Sequence, residues 1–202
     1  MKDLVIIGAG GHSKDIADVA LKSGYNLLGF LDDNLNTKSI FDYPILSSIH
    51  EYLIRSSSHI NFFIGIGNNL IRKELANKYS HLNFITLIHP SVKIAQNVEI
   101  GKGTVIGANS VINSSVRIGE HSIVNANAVI SHDCQIGNYS HIAPGAILCG
   151  TVFIGDLTHI GAGTVVRNNI DICSNVTVGI GSVIVKDINV EGTYFGVPVV
   201  KH

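Results

Sequence analysis

The chain lacks tryptophan altogether, and charged residues make up only 14% of its 202 positions. Its formal net charge of −1 supplies no general basic surface for nucleic acid. A disordered chain would be rich in charge and poor in apolar residues, whereas 46% of this chain is hydrophobic. The scarcity of charge therefore favours a folded chain whose surface is partly covered by other subunits.

Cysteine is also scarce, since Cys134, Cys149 and Cys173 form no C-x-x-C pair. Such isolated thiols are typical of small apolar side chains in a reducing compartment. The apolar run in the N-terminal segment MKDLVIIGAGGHSKD is too short for a signal peptide. No stretch approaches the length of about 18 apolar residues that a membrane-spanning helix needs. We therefore expect a cytoplasmic protein without a membrane span.

The first half of the chain, up to about residue 86, alternates between strand and helix patterns. Apolar runs predict strands over 4–8, 26–33 and 61–67, and helical spacing predicts helices over 12–24, 47–56 and 69–79. Ser13 is a plausible cap at the start of the first helix, and Gly24 a plausible end. This alternation predicts a small parallel α/β sheet, a Rossmann-like half.

The second half follows a period of six. Every sixth residue from Ile88 to Val190 is Ile, Leu or Val, without exception over eighteen positions. Glycine often follows the aliphatic residue, and a small or branched residue often lies four places after it. An α-helix cannot present such a series on one side, because six residues turn it through about 600°. A parallel β-helix can, with three hexapeptides in each coil and equivalent residues of successive coils stacked on one another.

This uninterrupted [LIV]-G-x-x-x-x pattern resembles the β-helix of hexapeptide-repeat acyltransferases. Together with IIGAGGHSKDI, FLDD, FFIGIGNNLIRKEL and HDC, it resembles the bacterial UDP-4-amino-sugar N-acetyltransferases and sialic acid O-acetyltransferases over essentially the whole chain. The resemblance implies a nucleotide-sugar-binding α/β domain over 1–86 and a left-handed β-helix acetyltransferase domain with a C-terminal cap over 87–202. It also implies a homotrimer, with acetyl-CoA bound as co-substrate along the groove between neighbouring β-helices.

His132 and Asp133 form the main candidate for catalysis. Acetyl transfer needs a base for the proton of the attacking group, and histidine accepts and releases protons near neutral pH. An adjacent acid can orient the imidazole and stabilise its charged form. The resemblance implies that His132 is the catalytic base and Asp133 its acidic partner, although several relatives carry Glu there. The alternative is a solvated turn of the repeat.

The stacking of successive coils brings other residues to this region. Gly150 lies one coil, or three hexapeptides, beyond His132 and should stack on it, where its N–H can meet a thioester oxygen. The resemblance implies that Gly150, His141, Ala162 and Ile180 contact acetyl-CoA. His159 stacks on His141 by the same count, and a surface or interface role is expected for it.

The sequence GAGGHS lies between the first strand and the first helix, where main-chain N–H groups can bind phosphate. It is not a dinucleotide motif, because Ser13 replaces the third glycine and a second mononucleotide-binding unit is missing. The resemblance implies a nucleotide-sugar site instead. Its predicted residues are Gly8, Gly10, Gly11, His12, Lys14, Asp32, Asp33 and Asn68, of which Asn68 is equally well explained as a helix cap.

Ten histidines also raise the question of a metal. Trimeric zinc carbonic anhydrases use the same coil, with a His-x4-His pair and a further histidine. No two histidines in this chain are five apart, so we expect no metal site.

The leading hypothesis is an acetyl-CoA-dependent N-acetyltransferase acting on a UDP- or dTDP-linked 4-amino-4,6-dideoxy sugar in surface glycan biosynthesis. Attack would be direct, because Cys134, the thiol nearest His132, should point into the coil. One alternative is O-acetylation of a sialic acid, which the double acid of FLDD disfavours. The other is a non-catalytic trimeric sugar-binding scaffold, which predicts no loss of function when His132 is changed.

Overall fold

The computed structural model describes residues 2–34, 38–55 and 60–202. Among these residues, the N-terminal half contains one sheet and three helices. The strands are β1 (Lys2–Ile7), β2 (Tyr25–Leu31), β3 (Ser39–Ile40), β4 (Tyr43–Ser47), β5 (Asn61–Ile64) and β6 (Asn83–Phe84), and the helices are α1 (Gly11–Lys22), α2 (Ile49–Arg55) and α3 (Asn69–Lys78).

The strand order is β3-β4-β2-β1-β5-β6, and every pairing is parallel except that of β3 with β4. The prediction of a small parallel α/β sheet is confirmed, and all six predicted elements are present. The last residue of the predicted second helix, Ser56, lies outside the described residues. The β3–β4 hairpin was not predicted, because two short strands at a sheet edge carry too little periodicity.

The predicted cap at Ser13 is wrong. Helix α1 begins after Gly10, which makes no side-chain cap. The Ser13 hydroxyl is instead fully buried and donates to the Gly65 carbonyl at 2.9 Å, which ties the first turn of α1 to the end of β5. Serine was predicted to form a hydrogen bond at the helix start. Its hydroxyl donates instead to a carbonyl distant in the sequence, so α1 begins without a side-chain cap.

The second half is a β-helix with three faces, which confirms the predicted coil. The first face holds β7 (Leu87–Ile88), β10 (Val105–Ile106), β13 (Ile123–Val124), β16 (His141–Ile142), β19 (His159–Ile160) and β22 (Val176–Val178), continued by β24 (Gly192–Gly196) and β25 (Val199–Lys201). The second face holds β8 (Lys93–Ile94), β11 (Val111–Ile112), β14 (Val129–Ile130), β17 (Ile147–Leu148), β20 (Val165–Val166) and β23 (Val183–Ile184). The third face holds β9 (Glu99–Ile100), β12 (Arg117–Ile118), β15 (Gln135–Ile136), β18 (Phe153–Ile154) and β21 (Asp171–Ile172).

Inward-facing aliphatic residues fill the coil, and small residues line its corners. From Ile106 to Ile184 every aliphatic position of the repeat is buried. Buried hydroxyls of the coil form a regular ladder in which most donate to a carbonyl of the next coil, as Ser122 does to Gly137 and Ser140 to Gly155. Ser182, near the end of the coil, donates to Gly179 instead. Cys134 faces inward as predicted and donates to the Cys149 carbonyl.

The six-residue register fails at its last position. Ile188, and not Val190, pairs with Ile172, so the final coil is two residues shorter than the others. Val190 is consequently 56% exposed. Strand β24 then adds to the first face with the same shortened spacing, since Tyr194 pairs with Val178.

Each corner from Asn97 to Gly181 also contains one residue with a positive φ, and these residues recur at intervals of six. Glycine and asparagine occupy most of these positions, because they tolerate the left-handed region. His121, Tyr139 and Leu157 are bulky exceptions that stack in one column on three successive coils. The N-terminal half docks on this column.

Arg72 of α3 joins the two halves. It is 1% exposed, and its guanidinium donates to the carbonyls of His121 at 2.7 Å and Tyr139 at 2.9 Å. It also donates to the carbonyls of Ile66 and Gly67 in the turn after β5. Leu87, Val105 and Ile123 of the first face pack in one apolar cluster with residues of α1, β1 and β2. Within the described residues, no helix has the length and apolarity needed to cross a membrane.

Candidate active site

His132 and Asp133 occupy the corner between β14 and β15. The Nδ1 atom of His132 lies 2.8 Å from Oδ2 of Asp133, and the two side chains are 61% and 57% exposed in the single chain. Asp133 takes the positive-φ position of its corner, with φ of 61°, and its N–H donates to the Ser114 carbonyl. In the tautomer that carries its proton on Nδ1, His132 donates to the carboxylate and keeps Nε2 as a proton acceptor. This is the geometry of an oriented base.

Gly150 lies directly beneath the imidazole of His132, as the one-coil spacing predicted. A Cβ atom built on Gly150 would lie 2.6 Å from both Cε1 and Nε2 of His132, closer than real Cβ atoms approach. Only glycine therefore lets the ring lie flat over this corner. The Gly150 N–H has no hydrogen-bond partner among the described residues. An unpaired amide beside the proton-accepting nitrogen is the arrangement that an oxyanion donor needs.

Gly150→Ala tests this contact, and we expect it to lower kcat by roughly 10- to 100-fold, since misplacing a catalytic group by about 1 Å has effects of that size. The added methyl must push the ring aside and so break its contact with Asp133. Steady-state rates and a thermal melt measure the two parts of the effect. Asn168→Ala, one coil further in the same column, is the matched control and should retain wild-type rates. Unchanged kcat in Gly150→Ala would contradict the contact.

Ala162 and Ile180 lie one coil apart at another corner, between the first and second faces. Their N–H groups have no hydrogen-bond partner in the parts of the chain that the structure describes. At the corner between the third and first faces, by contrast, side chains accept hydrogen bonds from the equivalent N–H groups. Asn138 accepts from the Glu120 N–H, and Asp156 accepts from the Asn138 N–H. Two free amides on successive coils suit the amide carbonyls of a pantetheine arm.

A second cluster of histidines lies on the first face. The ring of His141 is 4.8 Å from that of His159 and 6.1 Å from that of His12, in the first turn of α1. The Nδ2 atom of Asn125 lies 3.4 Å from Nε2 of His141. His12 Nε2 and His141 Nδ1 are buried and find no partner in residues 2–34, 38–55 and 60–202. A ligand or a neighbouring subunit can satisfy these two atoms.

Burial keeps these rings neutral. It lowers the pKa of His12 to about 4, opposed by the charge of Asp15 and assisted by that of Arg72. It lowers the pKa of His141 to about 3, assisted by the charges of His159, His12 and Arg72 and opposed by the Gly67 backbone close to the ring. The pKa of His159 is lowered for the same first reason. Each ring therefore offers one donor and one acceptor at neutral pH.

The glycine loop, residues 8–11, contains one glycine that the fold requires and two that it does not. Gly8 has φ of 105°, and a Cβ there would meet Ile66 and Ser13, so the fold itself requires glycine. A Cβ at Gly10 or Gly11 would meet nothing within 4 Å. These two glycines and exposed Lys14 line an open cavity of about 330 Å³ against Phe41. Glycine at these two positions leaves the backbone open to close approach from the cavity.

Comparisons with known proteins match both halves of the chain. A model described as the PglD N-terminal domain matches residues 3–79, and one described as bacterial transferase hexapeptide (six repeats) matches 81–114 and 115–150. The acetyltransferase domain of PglB from Neisseria gonorrhoeae superposes with a TM-score of 0.94 and is 34% identical, covering 100% of both chains. The chain belongs to the PglD-type family of hexapeptide-repeat acetyltransferases. The resemblance seen in the sequence is thereby confirmed.

The names of two further relatives of this PglD-type chain include nucleotide sugars. PerB from Caulobacter crescentus, solved with CoA and GDP-perosamine, is 28% identical with a TM-score of 0.94, covering 100% of this chain and 98% of that one. The UDP-N-acetylbacillosamine N-acetyltransferase of Bacillus subtilis is 38% identical over 115 residues. That alignment spans 54% of this chain and about half, 52%, of the curated relative.

Three predicted substrate residues of the PglD-type chain have partners within the fold. Asp32 accepts from the Ala9 N–H at 2.6 Å and so holds the glycine loop, while Asp33 accepts from the Ile49 N–H at the start of α2. Asn68 accepts from the Ile71 N–H and caps α3. The cap interpretation of Asn68 is therefore confirmed. A substrate contact by any of the three stays a prediction.

The predicted catalytic residues and the histidine cluster lie at different places on the coil of this PglD-type chain. His132, Asp133 and Gly150 share one corner, whereas His12, His141 and His159 meet on the first face. Sequence spacing did not single out Arg72, nor the contact of His12 with His141, because both cross between the two halves. The described residues contain no group of three or more His, Cys, Asp or Glu side chains that could hold a metal ion.

Proposed function

We propose that this PglD-type chain is an acetyl-CoA-dependent N-acetyltransferase for the amine of a nucleotide-linked 4-amino-4,6-dideoxy sugar. The observation that carries the proposal is the His132–Asp133 pair lying over the free N–H of Gly150. The relatives support the substrate class: the neighbours in structure include PglB solved with acetyl coenzyme A and PerB solved with GDP-perosamine.

Acetyl-CoA supplies the acetyl group as a thioester. His132 Nε2 accepts the proton of the attacking amine, and Asp133 stabilises the imidazolium that forms. The Gly150 N–H donates to the thioester oxygen as negative charge develops there. As the carbon–sulfur bond breaks, His132 returns the proton to the leaving thiolate. Cys134 takes no part, because it is buried inside the coil and burial raises its pKa.

The glycine loop is proposed to hold the diphosphate of the nucleotide sugar. Gly10 and Gly11 leave the N-terminal end of α1 open, and that end attracts anions. Lys14 has no ion-pair partner in the described part of the chain and lines the same cavity, so its charge is available to phosphate. His12 connects this loop to His141 on the coil. Asp32 holds the loop in place and contributes indirectly.

A homotrimer is proposed because one chain does not bring its two groups of site residues together. The outward positions of the second face form an apolar column of Val111, Val129, Ile147, Val165 and Val183, and Ile147 is 38% exposed. The four valines are partly exposed. A partly exposed apolar column of this length is typical of a surface that another subunit covers. Ringlike packing of three coils can carry the His132 corner of one subunit towards the first face of the next.

Ile147→Glu is expected to dissociate the trimer, since it would place a charge in an apolar interface. Sedimentation equilibrium should then give the mass of one chain, where the wild type gives three. Gln135→Glu, at an exposed outward position of the third face, is the matched control and should leave the wild-type mass unchanged. A trimeric Ile147→Glu variant would show that this column lies outside the interface.

The direct experiment supplies acetyl-CoA with different acceptors and follows free thiol. UDP-, dTDP- and GDP-linked 4-amino sugars are compared with free and polymeric sialic acid. The proposal expects thiol release and N-acetyl product with at least one amino sugar. Reaction with sialic acid alone would refute it.

A further inference from the structure

Four histidines lie where the N-terminal half meets the coil. The ring of His12, in the first turn of α1, faces that of His141 at 6.1 Å, and the ring of His159 lies 4.8 Å from that of His141. His159 also lines a cavity with the first turn of α3. Elsewhere on the same junction, the ring of His121 contacts Phe84 of β6 edge-to-face at 5.0 Å. These four side chains are called the junction histidines.

His121 is the most deeply buried of them. It is 2% exposed, and its ring stacks on that of Tyr139 at 5.6 Å. A Cβ atom built on Gly103 would overlap the ring at Nδ1, so the chain closes this side of the ring as well. Nδ1 itself is buried and has no hydrogen-bond partner among the described residues. A proton added at Nδ1 would therefore be a buried donor without an acceptor, which is costly.

Arg72 already places a positive charge among the junction histidines. Its guanidinium donates to the carbonyl of His121 at 2.7 Å and to that of Ser140, next to His141, at 3.5 Å. Its acceptors are all carbonyl or amide oxygens, and in the described part of the chain no carboxylate lies within ion-pair distance of it. Each proton taken up by a junction histidine would add a like charge beside this uncompensated one.

The other charged groups around the rings compensate only in part. Lys102, on the preceding coil, adds a positive charge near His121. Glu120 precedes His121 in the chain, but its carboxylate is exposed and lies 3.7 Å from the Lys102 ammonium. Asp15 of α1 acts on His12 and favours its charged form. Protonated rings at the junction would therefore meet more positive than negative charge.

Protonation of these rings is consequently linked to docking of the two halves. Burial lowers the pKa of His121 to about 4, assisted by Lys102 and Arg72, and burial also lowers the pKa of the other three junction histidines. Tyr139 stays neutral, since burial raises its pKa. An exposed imidazole has a pKa of about 6.5, so the rings bind protons more readily once the halves separate. The docked state is fully favoured above about pH 6.5 and loses stability as the pH falls towards 4.

The coil carries no comparable sensitivity to acid. All of residues 87–202 are described, and their buried polar side chains are hydroxyls apart from His121. We propose that the junction histidines form a pH-sensitive switch, in which neutral rings hold the N-terminal half on the coil and protonation in mild acid releases it while the coil stays folded. Release carries the glycine loop away from the coil, so the switch decides whether the two halves of the molecule work together.

Hydrogen–deuterium exchange with peptide-level mass spectrometry on the full chain tests the switch. As the pH falls from 6.5 towards 4, peptides of α3 and of the His121 corner should lose protection while those of the second face keep it. Return to neutral pH should restore the protection. His121→Phe keeps a ring between Phe84 and Tyr139 that cannot be charged, so it should shift the transition to lower pH and remove about one proton from it.

His159→Phe keeps a ring against His141 and should act in the same direction. His50→Phe, at an exposed position of α2, is the matched control and should leave the transition unchanged. Exchange is measured and not turnover, because protonation of His132 also lowers the rate, so the result is independent of the proposed function. Three outcomes would overturn the inference: full protection of α3 over the whole range, simultaneous loss of protection in α3 and the second face, or an unchanged transition in both ring variants.

Discussion

Replacing His132 by alanine is expected to lower kcat by about 10²–10⁴-fold, because a positioned general base contributes that much to proton transfer. The side chain is 61% exposed, so its removal leaves no cavity in the coil. The backbone of the corner is held independently, since the Thr151 N–H donates to the His132 carbonyl at 2.9 Å. Free-thiol release under saturating acetyl-CoA and amino sugar measures the loss.

Two comparisons isolate the role of the base. Asp133→Asn keeps a residue that tolerates φ of 61° but removes the carboxylate charge, so kcat should fall by less than in His132→Ala. Ser114→Ala changes the same corner column one coil earlier and should leave kcat as in the wild type. An unaltered rate in His132→Ala, with the trimer intact, would show that His132 is a solvated turn residue and would favour the scaffold hypothesis.

The site within the coil was accessible to sequence reasoning because the coil is periodic. The spacing of one coil alone placed Gly150 against His132 and His159 on His141, and the structure confirms both contacts. The reason is physical: each coil repeats the last, so sequence separation converts directly into position. The six-residue spacing failed at Val190, because the final coil is two residues shorter and the sequence pattern does not indicate this.

Contacts between the two halves follow no such rule. The N-terminal half has periods of two and 3.6 residues, the coil has a period of six, and nothing in either pattern aligns them. Arg72 lies in a helix segment, IRKEL, whose cations look like those of any exposed helix. The best sign of the docking surface lay in the coil, where His121, Tyr139 and Leu157 occupy corner positions that favour glycine or asparagine. These side chains pack towards the N-terminal half: Phe84 contacts the ring of His121 edge-to-face, and Tyr139 stacks on His121.

Arg72→Met is expected to lower the free energy of unfolding of the N-terminal half by about 3 kcal/mol or more, because several buried acceptors lose their donor. The carbonyls of Ile66, Gly67, His121 and Tyr139 all accept from this one guanidinium. Burial lowers the pKa of Arg72 to about 10, which still leaves it charged at neutral pH. Methionine fills much of the volume but donates no hydrogen bond.

Urea denaturation followed by far-ultraviolet circular dichroism can measure this loss for one half alone, because α1, α2 and α3 all lie in the N-terminal half. Arg72→Lys should fall between the wild type and Arg72→Met, since an ammonium group keeps the charge but cannot reproduce the planar fork that spans both halves. Lys22→Met removes an exposed ion pair with Asp18 and should shift the midpoint hardly at all. A wild-type midpoint in Arg72→Met would mean that water satisfies these carbonyls as well as the guanidinium does.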